Sequence, residues 1–395
     1  MKILLVSLYY FPKVGGVETS LRYIAKSLKE QGYEVAILAF DGAYEYPNVD
    51  GIPVYRYAFE SSKISYILHK RIKNIASIAI EKVIDSYNPD QIWSRNSIVA
   101  AGLIRCNRVK VVKHIFSTTS NLNVDGLYSN LSSYRFFKRT IFKGLKILDR
   151  YSLSRIDRNL MGSPKIIGVV FSKMMKKQLL EETGIKSKVI HVIQPGVDRT
   201  IFDVQQYPEE VLNEIPLIKD KYVLYVGRIA PAKNLEILID SFINLNGVRL
   251  NIVGDGPYLP FLKQYVQSKG MKNKVFFLGA HKKYLPLLYS KAELTVLPTK
   301  IETFGQVLIE SLSCGTPVVG FGKNPDFKTA IDEIVINDYN GIVVNEFSAI
   351  ELSNAIQALI AIDPSIKENM RAKNIEYIEK HFCWNTMVNE TLKLE

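Results

Sequence analysis

The stretch ETFGQVLIESLSCGTP, residues 302–317, decides the fold of this chain. Its middle is an apolar helical run that begins after Gly305 and ends at a Gly-Thr-Pro sequence. Apolar strand-like runs lie on either side, at residues 294–297 and 317–319. Strand, helix and strand in this order are typical of a βαβ unit, and such units build parallel sheets.

The same alternation continues outward in both directions and occurs in two series. The predicted strands are residues 2–9, 35–40, 91–94, 110–114, 166–171 and 189–193, then 222–226, 250–253, 275–278, 294–297, 317–319 and 341–344. A helix is predicted over residues 19–31, and residues 195–216 are interpreted as an interdomain connection. We therefore predict an α/β protein of two Rossmann-like domains that face a central cleft at the carboxyl ends of their strands.

Composition limits the class of protein further. The 395 residues are 47% hydrophobic and 23% charged, which is typical of a globular chain and excludes disordered, collagenous and coiled-coil proteins. No apolar run is long enough to cross a bilayer, and the apolar start is interpreted as a buried strand and not as a secretory signal. Three widely spaced cysteines indicate neither disulfides nor a zinc site, so a cytoplasmic protein is expected.

Charge is distributed unevenly along the chain. The net charge is +12, and the first 200 residues carry 31 Lys and Arg against 16 Asp and Glu, so that half is expected to meet an anionic partner. Two basic segments with interleaved apolar residues, from Arg135 to Arg150 and from Lys63 to Lys73, are typical of helices on an anionic membrane. Alternatively, their cations are merely solvated. No nucleic-acid partner is expected, because no nucleic-acid-binding motif is present.

Three loops that follow predicted strands carry candidate binding residues. Gly15 and Gly16 let a ligand approach backbone N–H groups at a helix start, although a tight turn also explains them. Arg228 and Lys233 follow the strand at 222–226, where a guanidinium and an ammonium suit a diphosphate unless both are only solvated. Gly254 follows another strand and either shapes the same edge or forms a plain turn.

Two carboxylates of the 302–317 stretch are expected to meet one bound molecule. Glu310 lies inside an apolar helical run, where an ionised carboxylate is unfavourable unless it meets donors such as hydroxyl groups. Glu302 precedes it in the loop, and the free N–H groups at Phe304 and Gly305 can receive a phosphate at the helix start. The alternative is that Glu310 is a buried capping partner.

Together these motifs resemble the group 1 glycosyltransferases of family 4, which have the GT-B fold, and the resemblance covers nearly the whole chain. Its motifs are, in order, Gly15-Gly16, Pro195-Gly196-Val197-Asp198 with Phe202, Gly227-Arg228 with Lys233, Gly254-Asp255-Gly256, the pair Glu302 and Glu310, and Phe382-x-Trp384. The resemblance implies retaining transfer from a nucleotide-diphosphate sugar without a metal or other cofactor. It implies an acceptor domain at residues 1–200, joined by a C-terminal helix at 375–395, and a donor domain at 201–374.

The resemblance also assigns roles to residues. Arg228 and Lys233 would hold the diphosphate, Glu310 the ribose hydroxyls and Glu302 the hydroxyls of the donated sugar. The histidine that the family places after a central strand of the first domain corresponds to His114, for which a structural hydrogen bond is the alternative. The residues expected beside the sugar and the leaving phosphate are Thr303, Phe304, Gly305, Gln306 and Val307. No side chain is assigned as a general base.

The leading hypothesis is a retaining glycosyltransferase that acts on a lipid-linked or saccharide acceptor in surface glycan, lipopolysaccharide or glycolipid synthesis. An anionic acceptor and a position on the inner face of the cell membrane would explain the basic first half. Two alternatives remain, a nucleotide-sugar epimerase of the GT-B fold and a non-catalytic nucleotide-sugar-binding subunit. A glycan phosphorylase is disfavoured by the modest length of the chain.

Overall fold

The computed structural model describes residues 1–13, 15–42, 47–58, 65–118, 136–186, 188–203, 220–281, 283–322 and 324–395, and the side chains of all these except 65–68 and 136–143. The chain divides into two compact units. Unit 1 comprises Met1–Pro195 and Trp384–Glu395, and unit 2 comprises Gly196–Cys383.

Unit 1 is built on an eight-stranded sheet in the order β3-β4-β2-β1-β5-β6-β7-β8, parallel except for the β3–β4 pair. Its elements are β1 (Lys2–Ser7), α1 (Gly16–Glu30), β2 (Glu34–Ala39), β3 (Asn48–Val49), β4 (Ile52–Arg56), α2 (Ser65–Tyr87), β5 (Gln91–Ser94), α3 (Ser97–Leu103), β6 (Val112–Ile115), α4 (Phe136–Gly162), β7 (Ile166–Val170), α5 (Lys173–Thr183) and β8 (Ile190–Val192). Residues 3–6 of β1 are completely buried, as a continuous apolar run in a central parallel strand requires.

Unit 2 is built on a six-stranded parallel sheet in the order β11-β10-β9-β12-β14-β16, with β13 and β15 paired separately. Its elements are β9 (Tyr222–Val226), α6 (Leu235–Ser241), β10 (Arg249–Val253), α7 (Leu259–Ser268), β11 (Val275–Gly279), α8 (Leu285–Lys291), β12 (Leu294–Leu297), β13 (Ile301–Glu302), α9 (Gln306–Ser313), β14 (Val318–Phe321), β15 (Lys328–Thr329), β16 (Gly341–Val344), α10 (Ala349–Ile360) and α11 (Pro364–His381). The last helix, α12 (Trp384–Leu392), belongs to unit 1.

Helix α12 is fastened to unit 1 by contacts with α1 and β6. The rings of Tyr23 and Trp384 stack at 5.6 Å, and the Ser27 hydroxyl donates to Asn385 Oδ1 at 2.5 Å. Lys113 Nζ donates to the carbonyl of Leu392 at 2.9 Å, which satisfies a terminal carbonyl group of the helix. Burial lowers the pKa of Lys113 to about 8. The end of the chain is therefore part of the core of the first unit.

All twelve predicted strands are present, with ends that differ by at most two residues, and the predicted helix at 19–31 is α1.

The domain limits differ from the prediction. Residues 196–200 and 375–383 belong to unit 2, because α11 packs there and the Val197 N–H donates to the Phe382 carbonyl at 3.1 Å. The predicted helix at 375–395 is two helices, of which only α12 returns to unit 1. Among the described residues, no helix has both the length and the apolar character needed to span a bilayer.

Candidate active site

Two glycine-bearing loops pack against each other after β9 and β10. Gly227 and Gly254 have φ angles of +154° and +142°, which side-chain-bearing residues rarely adopt. A Cβ atom on Gly254 would lie 1.9 Å from the Gly227 carbonyl oxygen, so no side chain fits there. The Ile229 N–H donates to the Asp255 carbonyl at 2.9 Å. Both loops therefore shape one edge of the sheet, and Arg228 extends from it into solvent.

Lys233 and Glu302 form an ion pair at this edge although they are 69 positions apart in the sequence. Lys233 ends a 3₁₀ turn after β9, and Glu302 ends β13, where its backbone is aligned with Thr329 of β15. Lys233 Nζ and Glu302 Oε2 are 2.8 Å apart, and the two side chains are 28% and 18% exposed. The structure thus brings together the predicted diphosphate-binding cation and the predicted sugar-binding carboxylate.

The N-terminus of α9 follows Glu302 directly. Gly305 precedes the helix with φ of +96°, and no side chain caps the helix there. Phe304 is buried against Phe382, with ring centroids 6.0 Å apart, and Gln306 Nε2 donates to the Gly196 carbonyl at 2.9 Å. Thr303 and Val307 are partly buried on either side. These contacts fix the loop while its helix-start N–H groups stay suited to an anion.

Glu310 lies four residues into α9 and is partly buried. The Tyr289 hydroxyl donates to Glu310 Oε2 at 3.0 Å, so this carboxylate has a donor within the protein. Its predicted contact with ribose hydroxyls stays a prediction. Burial raises the pKa of Glu310 to about 7, an effect that the Tyr289 hydrogen bond opposes. The helix itself is anchored to the sheet, since the Ser311 hydroxyl donates to Thr295 Oγ1 at 2.8 Å.

In unit 1, a buried ion pair holds the loop between β1 and α1. Asp41 Oδ2 accepts from the Tyr10 N–H at 2.8 Å, and Asp41 Oδ1 is paired with Arg56. Arg56 also donates to the Phe11 carbonyl at 2.6 Å. Gly15 and Gly16, which end the loop, are exposed at the start of α1. The Asp41–Arg56 pair therefore fixes the start of this loop, and the glycine end of the loop is exposed.

His114, which the resemblance implies should face the donor sugar, does not reach solvent in this structure. Its side chain is completely buried beneath the start of α3, with Nε2 at 3.2 Å from the Ser97 hydroxyl and its ring 4.3 Å from that of Phe116. Burial, and secondarily the charge of Arg95, lowers its pKa to about 3. The structure thus gives His114 the structural hydrogen bond that was the alternative interpretation.

Sequence reasoning missed Asp41, Arg56 and Tyr289. Arg56 is the last residue of β4 and Asp41 lies two residues beyond β2, so each follows a strand at its carboxyl end. That position is a usable signal, because loops at the carboxyl ends of parallel strands carry the binding sites of such folds. Tyr289 offers no comparable signal, since it lies within the buried face of α8.

The basic segments are described only in part. Residues 63–64 and Arg135 lie outside the described residues, as do the side chains at 65–68 and 136–143. On α2, His69 is buried with Nδ1 at 3.0 Å from the Ser152 hydroxyl of α4. On α4, three apolar side chains face solvent beside Arg150, namely Ile147 at 69%, Leu148 at 53% and Tyr151 at 63% exposure.

The fold matches solved glycosyltransferases over its whole length. Sucrose-phosphate synthase of Thermosynechococcus elongatus superposes with a TM-score of 0.78 at 19% identity, over 98% of this chain and 96% of that one. Anabaena HepE, solved with UDP and glucose, gives a TM-score of 0.72 at 19% identity, over 100% and 98%. The two α/β units therefore have the GT-B fold, as predicted.

Family models specify the class further. The model of the group 1 glycosyl transferases matches residues 209–381, and that of glycosyltransferase family 4 matches residues 14–200. The alpha-monoglucosyldiacylglycerol synthase of Streptococcus pneumoniae is 26% identical over 95% of this chain and 82% of its own length. The chain belongs to the group 1 glycosyltransferases, of the family 4 type, and is a transferase that uses a nucleotide sugar. The resemblance drawn from the sequence is thereby confirmed.

Proposed function

We propose that this enzyme transfers a sugar, with retention of configuration, from a nucleoside diphosphate sugar to a lipid-linked or saccharide acceptor. The observation that carries the proposal is the ion pair of Lys233 and Glu302 beside the α9 N-terminus. A cation, a carboxylate and helix-start N–H groups that no side chain caps suit the phosphate and hydroxyl groups of such a donor.

The donor would lie across this pair. Lys233 and Arg228 bind the diphosphate, while Glu302 exchanges its contact with Lys233 for the hydroxyls of the sugar. The N–H groups at the start of α9 receive the leaving phosphate, and Glu310 accepts from the ribose. Fixed cations and backbone dipoles stabilise the charge that develops on the leaving nucleotide, which is the role a metal plays in other transferases.

We infer from this arrangement that turnover needs no divalent metal. A phosphate oxygen of the leaving group accepts the proton of the acceptor hydroxyl in this proposal, so no side-chain base is assigned. Turnover that is unchanged by EDTA, in protein first freed of metal, is the expected result. Activity that EDTA abolishes and Mg²⁺ or Mn²⁺ restores would contradict the metal-free assignment.

The donor is identified by thermal stabilisation with UDP, GDP, ADP and dTDP and their common sugars, because a ligand that binds only the folded state raises its stability. One nucleotide should shift the melting temperature selectively, and Lys233→Ala should remove the shift. Acceptor-dependent release of that nucleotide then supports a transferase, whereas release or rearrangement of the donor alone supports an epimerase. A nucleotide that binds without any turnover supports a non-catalytic subunit.

The acceptor is proposed to be anionic and presented at the inner face of the cell membrane. The exposed Ile147, Leu148 and Tyr151 beside Arg150 suit an anionic lipid surface, and the streptococcal relative is named for a glucosylated diacylglycerol.

The enzyme should float with anionic liposomes at low salt, and the double change Ile147→Ser with Leu148→Ser should weaken this flotation. Ile350→Ser with Ile366→Ser changes equally exposed residues of unit 2 and should have no effect. Equal flotation of the two double variants would contradict membrane binding through Ile147 and Leu148.

A further inference from the structure

Unit 2 has a second pocket at the opposite edge of its sheet, where the strands begin. The pocket has a volume of about 770 Å³. Its charged lining residues are Lys221, Arg249, Lys269, Lys274 and Asp220. Strand β9 is five residues long, so with a rise of about 3.3 Å per residue the pocket lies roughly 17 Å from the loop that bears Arg228. It is therefore separate from the candidate donor site.

Three of the cations come from adjacent strand starts. The alignment of Leu250 with Val275 places Arg249 beside Lys274, and the Arg249 N–H donates to the Lys221 carbonyl at 3.0 Å. Like charges on neighbouring strands repel each other and destabilise a sheet. The clustering is notable because residues 201–395 carry more acidic than basic side chains, 23 against 20. An anion between these cations would offset the repulsion.

The acids near the pocket do not neutralise it. Asp220 is paired with Arg249, and Asp240 is paired with Lys269 at 2.9 Å. Among the described residues, neither Lys221 nor Lys274 has an acidic partner within 4 Å. Lys274 Nζ makes one long hydrogen bond, to the Ile243 carbonyl at 3.4 Å, and burial lowers its pKa. Within the part of the chain that the structure describes, two ammonium groups are therefore left for a ligand.

The rest of the lining suits a compact ligand. Val248 and Met271 are each 5% exposed and form an apolar base. Gly247 and Gly270 stand at turns with φ of +73° and +70°, and a Cβ atom built on either meets no other atom within 4 Å. The turns therefore leave room above the cations. A small molecule with several phosphate charges meets this combination of shape and charge.

We propose that this pocket is a second binding site, which takes a small ligand bearing several phosphate groups and is distinct from the donor site. Lys221 and Lys274 bind the phosphates directly, while Arg249 and Lys269 stay paired with Asp220 and Asp240. Because this proposal concerns binding and not turnover, it can be tested by measuring ligand affinity alone.

The test uses inorganic tripolyphosphate and the full chain, by isothermal titration calorimetry in low salt. Because tripolyphosphate can also bind at the donor site, every protein carries Arg228→Ala and Lys233→Ala. Binding should persist in this background and weaken about 10-fold or more when Lys221→Ala and Lys274→Ala are added, because each change removes a charged hydrogen-bond donor to the phosphates. Adding Lys263→Ala and Lys291→Ala instead removes the same charge elsewhere on unit 2 and should change little.

Equal weakening by both pairs would show general electrostatic attraction and overturn the proposal, as would absence of binding in the background protein. Citrate that binds as tightly as tripolyphosphate would overturn the assignment to phosphate groups. Lys221 is exposed, so the single change Lys221→Ala keeps the fold and should still weaken binding. Unchanged binding by that variant would also count against the site.

Discussion

Unit 1 and unit 2 each carry an ion pair at the carboxyl edge of the sheet, and the two pairs differ in exposure. The side chains of Asp41 and Arg56 are 2% and 8% exposed, and each also makes one hydrogen bond with the backbone of the Tyr10–Phe11 loop. The side chains of Lys233 and Glu302 are 28% and 18% exposed. A buried, satisfied pair holds a loop in place, whereas a pair open to solvent can exchange its partner for a ligand. Similar chemistry therefore holds a loop in unit 1 and, under the proposed function, binds the donor in unit 2.

The largest effect is expected from breaking the buried pair. Asp41→Ala leaves the buried Arg56 guanidinium without its carboxylate, which should cost about 3–5 kcal/mol of unfolding free energy. Both tryptophans, Trp93 and Trp384, lie in unit 1, so their fluorescence during urea unfolding reports that unit alone. The double change Asp41→Ala with Arg56→Met should recover much of the loss. A loss below about 1 kcal/mol for Asp41→Ala would contradict the structural role.

Breaking the open pair should leave the fold intact and impair the reaction. Lys233→Ala removes the cation that we propose stabilises the leaving diphosphate, and kcat/KM should then fall about 100-fold, or about 2.7 kcal/mol. Glu302→Ala should behave similarly, and neither change should alter the unfolding transition. Lys263→Ala, an exposed lysine on α7, is the control. Near-normal turnover in the Lys233 variant would show that the donor site is elsewhere.

A smaller effect is expected from pH, through Glu310. Its raised pKa of about 7 means that the carboxyl gains a proton as pH falls below 7 and then accepts less well from ribose hydroxyls. The Kd of the donor should rise by up to about tenfold per pH unit below that point. The unliganded fold changes in the opposite sense, because a buried acid with a raised pKa stabilises it at lower pH. Glu310→Gln should flatten both profiles, and an unchanged donor profile would exclude Glu310 from the site.

The smallest loss of unfolding free energy is expected from an exposed ion pair of unit 1. Arg22 and Asp50 form an ion pair in unit 1 whose side chains are 46% and 43% exposed. Arg22→Ala should therefore cost less than about 1 kcal/mol, because solvent screens an exposed pair. Tryptophan-detected urea unfolding gives the value directly. A cost comparable to that of Asp41→Ala would mean that burial does not separate the two classes of pair.

The sequence predicted those parts of the fold that repeat a simple pattern. Long buried strands such as β1 and β9 are continuous apolar runs, which periodicity detects. It missed β3 and β4, because one has two residues and the other contains Pro53, and it missed the two-residue β13 and β15. Such short segments are formed by tertiary pairing and not by local preference.

In the candidate site too, local patterns predicted some features, and others depend on tertiary contacts. Lys233 and Glu302 were named from motifs, but only the structure shows that they form an ion pair, because no local pattern links positions 69 residues apart. The burial of His114 follows from Ser97 and α3 lying over β6, a packing relation that the residues around the histidine do not encode. Burial and long-range pairing were the two quantities that sequence reasoning lacked.

The attachment of α12 to α1 and β6 determines the order in which this protein can fold during synthesis. Ser27 and Asn385 are 358 positions apart, and all of unit 2 lies between the two segments of unit 1. On the ribosome, unit 2 is complete before residues 384–395 emerge, whereas unit 1 must wait for them with the surface of α1 uncovered. The first half of the chain to be translated is therefore the last to finish folding.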